Sequence, residues 1–262
     1  MPELPDLEVF KANVYNRLTS KRLIGLSVFN PRKVQSPKDA SLQDLIGSEL
    51  LDIDRTGKEL LFDFGDINII TAHLMLSGEM SIVSEKEAVD DIAYKVLSMT
   101  FENETLVFSD RGELCTIKYM PTINNTPDAF GRSFSLPYFC RIACSKPRMN
   151  VKAFLIDQHI VKGIGNAYAD EILWAARISP HSLIGKIPDD QLAILHGAIR
   201  TVLADAILEI KSIAPDIISG EVRSFLKVHN KALKKTETGA EIIVEKVASK
   251  TTYYTNEQVL YT

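Results

Sequence analysis

The first residues of the chain could carry out chemistry by themselves. Pro2 directly follows Met1, and an initiator methionine is usually removed before a small residue, which would leave a secondary amine at the terminus with Glu3 beside it. An α-amino group has a pKa of roughly 7.7–8.0 and is partly neutral near neutral pH, whereas a lysine, at about 10.4, needs strong perturbation to act as a nucleophile. The terminus therefore predicts a nucleophile at Pro2.

A glycine-rich turn is the second feature that could carry chemistry. Gly163, Ile164 and Gly165 precede Asn166 and a helical stretch, and such a turn exposes successive backbone N–H groups at a helix start. The pattern predicts an anion site suited to phosphate. A dinucleotide-binding fingerprint is disfavoured because its last glycine is missing and residues 157–162 do not read as a strand. A plain helix-turn-helix hairpin is the other alternative.

The elements that must position these residues change in type along the chain. Apolar residues recur at helical spacing between positions 7 and 18, which predicts an amphipathic helix just after the terminus. Residues 48–120 read as seven short strands separated by turn signals, a pattern typical of a β-sandwich or barrel. Residues 121–150 are rich in proline and predict a boundary. A helical period follows, and two short strands are predicted in residues 241–255.

The composition indicates a folded globular protein. The chain has 262 residues, of which 45% are hydrophobic and 24% charged, enough for one large core or two modest ones. No apolar run approaches the roughly 20 residues of a membrane helix, and no signal-peptide pattern opens the chain. Its three cysteines form neither an even disulfide framework nor a CxxC pair. We expect an intracellular protein, in the cytoplasm or nucleoid if bacterial, with no membrane partner.

Charge is unevenly distributed along the chain. A net charge of −4 argues against a protein that coats nucleic acid by bulk electrostatics. Residues 139–156 and 222–235 nevertheless hold four and five basic side chains, respectively, and no acid. Either stretch alone is typical of a solvated face. Together they predict a basic strip on an otherwise acidic protein.

Four motifs are similar, in order, to those of the formamidopyrimidine-DNA glycosylase and endonuclease VIII family: PELPDLE at the terminus, GKELLF at 57–62, HLMLSG at 73–78 and DQHIVKGIGNAYADEILW at 157–174. The resemblance covers nearly the whole chain. It implies an α+β fold, with an N-terminal β-sandwich domain followed by a helical helix-two-turn-helix domain and a C-terminal finger. It also implies a bifunctional DNA glycosylase and AP lyase of base excision repair, a monomer that acts on damaged double-stranded DNA without a cofactor.

The resemblance implies three catalytic residues. Pro2 would attack the sugar C1′ of a flipped-out nucleotide and form an iminium that drives β- and then δ-elimination of the strand. Glu3 would relay protons to the opening sugar ring and to the leaving base. Lys58 would contact phosphate and assist at the sugar, although a lysine between two strands is by itself more typical of a plain surface residue.

The resemblance also implies DNA-binding residues. Asn166 would hold phosphate with the turn at Gly163 and Gly165, and His73, which opens the HLMLSG motif, would contact DNA. Leu76 and Met75 would form an apolar wedge that fills the space of the flipped nucleotide.

A loop at residues 110–115, between the third and the fourth of these motifs, departs from the family pattern. The family reads DPRRFG where this chain reads DRGELC, so that Gly112 and Leu114 stand where an arginine and a phenylalanine are usual. Arg111 could face the orphaned base with its register shifted by one residue. The alternative is that Leu114 and Cys115 are core residues of a strand and that the loop has lost its role.

The C-terminal finger departs further. Thr236, Gly239, Thr255 and Gln258 stand where four zinc-binding cysteines of the family would fall, so no metal site is predicted and the finger is expected to be a zincless β-hairpin. Lys250 replaces an arginine at the fingertip, where it can pair with phosphate but lacks the bidentate fork.

These observations define four segments. The N-terminal helix and β-sandwich are predicted in residues 1–125, a linker in 126–150, the helix-two-turn-helix domain in 151–225 and the finger in 226–262.

The oxidised-purine enzymes of the family carry a loop of well over ten residues that closes over 8-oxoguanine, and residues 217–230 leave no room for it. The resemblance therefore predicts excision of oxidised pyrimidines and hydantoins. The alternatives are an 8-oxoguanine or formamidopyrimidine glycosylase and a damaged-DNA binding protein that has lost its chemistry.

Overall fold

The computed structural model describes residues 1–84, 89–122 and 124–262. The predicted boundary at residues 121–150 includes Ile123, which lies outside the described residues. Two compact units share the chain. The first comprises Met1–Pro2, Asp6–Asn124 and Ile210–Glu221, and the second comprises Glu3–Pro5, Asn125–Glu209 and Val222–Thr262.

In the described part of the chain before residue 120, there are one α-helix and nine strands. The helix is α1 (Leu4–Leu18), and the strands are β1 (Leu23–Val28), β2 (Val34–Gln35), β3 (Asp52–Thr56), β4 (Glu59–Asp63), β5 (Ile69–His73), β6 (Gly78–Ser84), β7 (Lys95–Phe101), β8 (Glu104–Asp110) and β9 (Thr116–Tyr119). The strands form a four-stranded sheet in the order β1-β7-β8-β6 and a five-stranded sheet in the order β2-β9-β5-β4-β3.

The two sheets of the first unit share one apolar core. Phe62 on β4 meets Phe108 on β8 edge to face, with ring centroids 5.8 Å apart, so that side chains of the two sheets interdigitate. The predicted apolar positions of α1 lie in this same core, where Leu7, Phe10, Val14 and Leu18 are each at most 1% exposed. The predicted sandwich and its N-terminal helix are therefore confirmed.

The second unit is helical and ends in a β-hairpin. Its elements are α2 (Leu136–Ser145), α3 (Val151–Ile156), α4 (Asn166–Ala175), most of α5 (Asp189–Ile213), β10 (Ile243–Val247) and β11 (Lys250–Tyr254). The last two strands pair antiparallel, with Val247 opposite Lys250. This arrangement confirms the predicted helical domain and C-terminal hairpin.

Residues 126–150 differ from the predicted linker because they contain helix α2. Phe139 and Ala143 on this helix are buried in the helical core at 0% and 1% exposure. Pro137 lies in the first turn of α2, where a proline loses no intrahelical hydrogen bond. One of the prolines in this proline-rich stretch therefore belongs to the start of a helix and not to a linker.

Residues 210–221 also differ from the prediction, which assigned them to the helical domain. They pack with the first unit, where the Asn13 side-chain amide donates to the carbonyl oxygens of Pro215 and Ile217, both at 2.8 Å. Ile217 and Ile218 pack against the sandwich core. The helical periodicity of α5 continues without interruption, so the sequence does not indicate that the chain passes from the second unit to the first at residue 210.

A search of the described helices finds none that is both long enough and apolar enough to cross a membrane.

Candidate active site

The carboxylate of Glu3 is held at the start of helix α4. It is 4% exposed and accepts hydrogen bonds from the backbone N–H groups of Gly165 (2.7 Å), Ala167 (3.0 Å) and Tyr168 (3.4 Å). These are N–H groups that a helix start leaves without intrahelical partners, and the positive end of the helix dipole lies at the carboxylate. The three hydrogen bonds hold the Glu3 side chain in one position.

The two glycines of the turn make room for this contact. A Cβ at Gly165 would overlap the Glu3 carboxylate, and a Cβ at Gly163, whose φ is +104°, would lie 2.7 Å from Leu4 Cδ1. The Gly163 carbonyl accepts from Leu4 N–H at 3.1 Å, and its own N–H donates to Gln158 Oε1 at 3.0 Å. The anion bound by the N–H groups of this helix start is the chain's own Glu3, and phosphate binding by Gly163 and Gly165 stays a prediction.

Replacing Gly165 with alanine is expected to lower base excision by about 10²-fold or more, the low end of what a positioned proton-transfer group contributes. The new Cβ would displace the Glu3 carboxylate, because the three heavy atoms nearest to that Cβ all belong to the Glu3 side chain. Single-turnover excision measures the loss. Gly197→Ala on α5 is the control, because nothing lies within 4 Å of its Cβ. Unchanged excision in Gly165→Ala would show that the position of Glu3 does not matter.

Pro2 and Lys58 both belong to the first unit, and both are buried. Pro2 is joined to Met1, whose amino group pairs with the carboxylate of Glu221. Lys58 is 8% exposed and forms, with Gly57 (φ +59°), the two-residue turn between β3 and β4.

The turn that carries Lys58 is fixed by helix α1. Arg55 donates through Nη1 to the carbonyl of Gly57 at 2.8 Å and through Nε to Glu8 on α1, also at 2.8 Å. Because the Arg55 side chain is 3% exposed, this link is buried and holds the β3–β4 turn in one conformation. The carboxylate Glu8 of the opening motif therefore has a positioning role that its sequence did not indicate.

The predicted wedge projects from the turn between β5 and β6. Leu76 is 68% exposed at its tip, and Met75 beside it is partly buried with a φ of +54°. His73 Nδ1 accepts from the Met75 N–H at 3.0 Å, which supports this left-handed residue. His73 thus shapes the turn, and only its other ring nitrogen is left to donate to DNA.

The bond from Met75 requires a neutral His73, and burial favours that form. Burial, with lesser effects of Lys58 and Lys118, lowers the pKa of His73 below its usual 6.5, although Glu59 opposes the change. The neutral ring therefore stabilises the fold above about pH 6.5, and this stability is lost as pH falls through the lowered pKa. We expect the midpoint temperature of thermal unfolding to decrease as pH falls in this range for the parent, and we do not expect this contribution in His73→Ala. An NMR titration that gave His73 a pKa above 6.5 would contradict this.

Asp110 organises the loop that follows β8. It is 2% exposed and accepts from Ser77 Oγ at 2.6 Å and from the N–H groups of Gly112, Leu114 and Cys115 at 2.9, 2.5 and 2.5 Å. Burial raises the pKa of Asp110, but these hydrogen bonds outweigh it and the pKa is lowered overall. The wedge turn and the loop are therefore tied to one ionised carboxylate.

The loop residues separate into an exposed and a buried set. Arg111 is exposed and Leu114 is 41% exposed, whereas Cys115 is 2% exposed, and burial raises its pKa to about 11. The alternative that made Leu114 and Cys115 both core residues is thus correct only for Cys115. Leu114 is available at the surface beside Arg111.

Asn166 and Lys250 lie close together in the second unit. The Asn166 side-chain amide donates to the carbonyl of Thr251 at 2.9 Å, and Thr251 follows the exposed Lys250 at the start of β11. The tight turn before Lys250 is made by Ala248 and Ser249, with φ values of +51° and +64°. The helix start and the fingertip are therefore connected by a direct hydrogen bond.

Hydrogen bonds occupy the four finger positions where the family has cysteines. The Thr236 amide donates to Ala240 O, and the Gly239 amide donates back to Thr236 O, both at 2.9 Å. Gln258 Oε1 accepts from the Thr255 amide and its Nε2 donates to Ile178 O, both at 2.8 Å. Polar side chains and backbone groups thus close these two turns. Among the described residues, no His, Cys, Asp or Glu cluster could hold a metal ion.

Lys250→Ala is expected to weaken binding to lesion DNA several-fold and to reduce the salt dependence of binding by about one phosphate contact. Lys250→Arg should retain or improve binding, since the fingertip supplies charge and the arginine fork adds a second hydrogen bond. Fluorescence anisotropy at several salt concentrations measures both. Lys246→Ala, at another exposed lysine of the hairpin, is the matched control. Equal salt slopes for all four proteins would show that the fingertip is only structural.

A buried network in the second unit was missed by the sequence analysis. Lys152 was counted in the basic strip, yet it is 0% exposed, and its Nζ lies 2.7 Å from Asp170 Oδ1 and 2.6 Å from Thr252 Oγ1. Asp170 Oδ2 accepts from the Tyr253 N–H at 3.0 Å and lies 2.7 Å from His229 Nδ1. The spacing of Lys152 after the capping Asn150 in a run of apolar residues is the one signal that could have indicated burial. The network fastens β11 to helices α3 and α4.

Comparison with known proteins bears on what this site does. The formamidopyrimidine-DNA glycosylase N-terminal domain matches residues 1–117, and the formamidopyrimidine-DNA glycosylase H2TH domain matches residues 126–216. A formamidopyrimidine-DNA glycosylase of Carboxydothermus hydrogenoformans is 30% identical over 209 residues, which cover 78% of this chain and 76% of that protein. The chain belongs to the formamidopyrimidine-DNA glycosylase family.

Other members of the family align with this chain over nearly its whole length. The formamidopyrimidine-DNA glycosylase of Lactococcus lactis is 26% identical over 268 residues, 97% of each chain. A crystal structure of the L. lactis protein with THF-DNA and an inhibitor superposes with a TM-score of 0.85 at 25% identity, covering 97% of this chain and 98% of that one. A complex of L. lactis Fpg with abasic-site DNA gives a TM-score of 0.83.

Membership defines the reaction class of the protein. It is a formamidopyrimidine-DNA glycosylase-type enzyme of base excision repair, with both DNA glycosylase and AP lyase activity, and damaged DNA is its partner. The predicted family, enzyme class and partner are therefore confirmed.

Proposed function

We propose that this glycosylase favours oxidised pyrimidines and hydantoins over 8-oxoguanine, and that it acts through an N-terminal Pro2 Schiff base with Glu3 and Lys58. The observation that carries the lesion preference is the short segment between Ser219 and Leu226, which is too short to form a lid over the base.

Both ends of this segment are held by packing. On one side, Ser219 Oγ accepts from the Met80 N–H at 3.0 Å, within the sandwich unit. On the other side, Leu226 is 3% exposed in the core of the helical unit. The six residues 220–225 between them are fewer than the loop of well over ten residues that covers 8-oxoguanine in the purine-specific enzymes. For an enzyme without these contacts, the rate depends more strongly on the free-energy cost of flipping the lesion out of the duplex.

The free-energy cost of base flipping differs between lesions. Unstacking a nucleotide costs a few kcal/mol, and the cost is least for bases that are damaged or paired poorly. Thymine glycol and the hydantoins are non-planar or poorly stacked, whereas 8-oxoguanine stacks and pairs well. A lidless site should therefore process the first two, and abasic sites, faster than 8-oxoguanine.

The chemistry proposed for the site uses an amine and a carboxylate. Once Met1 is removed, the lone pair of Pro2 N forms a bond to C1′ while the bond from C1′ to the base breaks; the base leaves with the electron pair and takes a proton from water. The Pro2 nitrogen then bears a positive charge and one N–H. Glu3, held by three N–H groups, accepts this proton and passes it to O4′ as the C1′–O4′ bond breaks and the iminium forms. The secondary amine gives an iminium that carries no N–H proton to lose, so it stays cationic and acidifies C2′.

Strand cleavage follows from that acidity. Loss of a C2′ proton expels the 3′ phosphate, a second elimination expels the 5′ phosphate, and water then releases the sugar fragment from Pro2. Lys58, on its buried turn, would hold a phosphate beside the sugar. Asn166 and Lys250 would hold further phosphates of the damaged strand, and Leu76 would take the space that the flipped nucleotide leaves.

The names of relatives favour a second candidate, the excision of formamidopyrimidines and 8-oxoguanine. The relatives are formamidopyrimidine-DNA glycosylases, and solved neighbours are described as complexes with Fapy-dG and with carbocyclic 8-oxo-G. One L. lactis complex contains an oxidised pyrimidine. A third reading, a binding protein without chemistry, is weakened by the presence of Pro2, Glu3 and Lys58 together.

Single-turnover excision from matched duplexes tests the proposal. Thymine glycol, a hydantoin and 8-oxoguanine are placed at the same position, the last opposite cytosine, and excess enzyme is used so that product release does not limit the rate. We expect the first two to be excised faster. If 8-oxoguanine or a formamidopyrimidine is excised fastest, the second candidate is correct, and binding without any cleavage would favour the third.

A further inference from the structure

A polar cavity of about 280 Å³ lies beside the wedge in the sandwich unit. The side chains that matter here are Ser77, Glu79, Ser81, Ser109, Tyr94 and Arg111. Its volume is just below the roughly 300–1,000 Å³ of small-molecule sites, and its lining of hydroxyls, one carboxylate and one guanidinium suits the hydrogen-bonding groups of a base. In the described residues, neither Glu79 nor Arg111 forms an ion pair or side-chain hydrogen bond within the protein.

Tyr94 is the unusual member of this lining. Its side chain is 60% exposed and its φ is +55°, a left-handed conformation that bulky residues rarely adopt. A register shift between Lys95 and Leu97 marks a bulge in β7 immediately afterwards. Bulges next to functional sites often redirect a side chain, and backbone strain of this kind is kept only where surrounding contacts enforce it.

The contact that enforces the conformation comes from Asp110. The Tyr94 carbonyl accepts from the Asp110 N–H at 2.9 Å, while the Asp110 carboxylate holds Ser77 of the wedge turn and the amides of the 112–115 loop. One buried residue therefore fixes three surface features together: the turn of Leu76, the loop of Arg111 and the exposed ring of Tyr94. A merely solvated tyrosine would need no such arrangement.

We propose that Tyr94 contacts the undamaged strand, with its ring packed on the orphaned base that remains opposite the flipped nucleotide. The inference rests on the proposed wedge role of Leu76. A tyrosine ring offers a large, rigid apolar face, and stacking of a base on an aromatic ring tolerates any sequence because every base has a π-face. Arg111 and Glu79, at the same cavity, supply a donor and an acceptor for the edge of that base.

The test couples a change in the protein to a change in the DNA. Binding of Tyr94→Ala and Tyr94→Phe is measured on two lesion duplexes, one with a normal base opposite the lesion and one with a tetrahydrofuran spacer there. Tyr94→Ala is expected to bind the first duplex about tenfold more weakly, which lies within the range found for removing one stacked ring. On the spacer duplex it should match the parent, and Tyr94→Phe should match the parent on both.

The controls separate this inference from folding and from the proposed wedge. Alanine retains the left-handed backbone cost of tyrosine, so the fold should not change, and thermal unfolding verifies this. Tyr15→Ala, at a 43% exposed tyrosine on α1, should have no effect on either duplex. Leu76→Ala reports on the wedge. Loss with Leu76→Ala and none with Tyr94→Ala overturns only the Tyr94 inference, as does an equal loss on both duplexes, whereas no loss with either variant overturns the wedge as well.

Discussion

Blocking the amino group of Pro2 should abolish borohydride trapping of the protein on abasic-site DNA. The expected loss is at least about 10³-fold, because removal of a covalent nucleophile removes the reaction path rather than one contribution to it. Pro2→Gly should also trap poorly, since its primary amine gives an imine that can lose its proton and its charge. Trapped complex is measured on a denaturing gel after reduction, and mass spectrometry of the tryptic peptides locates the linked residue.

Pro5→Ala is the matched control for this experiment. Pro5 lies in the first turn of α1, three residues after Pro2, and should not affect trapping. A variant in which a large residue at position 2 prevents removal of Met1 tests the same idea without chemical blocking, because the amine then belongs to Met1. If the blocked protein is still trapped, the nucleophile is a lysine, and Lys58 is the first to examine because it is already buried.

The turn at Gly163 and Gly165 illustrates how far the sequence could lead. The motif correctly predicted an anion-binding helix start, because glycines, backbone N–H groups and the helix dipole are all local properties. The prediction did not include the carboxylate of Glu3, because Glu3 is more than 160 residues away in sequence and nothing local indicates that it returns to this turn. The terminal residues and the glycine turn, which appear as two separate features in the sequence, meet in one contact.

Lys152 and Asp110 illustrate the opposite limit. Lys152 reads as one more cation in a basic stretch, and only the fold reveals that Asp170 and Thr252 surround it. Asp110 reads as a turn residue, whereas it holds three segments through backbone donors that no side-chain pattern encodes. Periodicity predicts which elements exist, and the hairpin, helices and sandwich were found in this way. Polar contacts between elements distant in sequence could not be predicted.

Lys152→Met should destabilise the protein by about 3–5 kcal/mol, the usual cost of removing one partner from a buried ion pair. The substitution keeps the length and volume of the side chain, so the loss reports on the charge. Asp170 would then be left buried at 0% exposure with only His229 and the Tyr253 amide as donors. The midpoint temperature of thermal unfolding should fall by roughly 10 °C. Lys146→Met, at an exposed lysine of the same basic stretch, should change it little.

The double variant Lys152→Met with Asp170→Asn separates charge from shape. If the cost of Lys152→Met comes from an uncompensated carboxylate, neutralising Asp170 should recover part of it, and the two effects should be strongly non-additive. The network also holds Thr251 and Thr252 beside Lys250, since Lys152 Nζ lies 3.3 Å from Thr251 O. At a temperature where each variant is folded, Lys152→Met should therefore lose the same salt-dependent contact to DNA as Lys250→Ala. A variant that is destabilised but binds DNA with the parent's salt slope would show that the network stabilises the helical unit without positioning the fingertip.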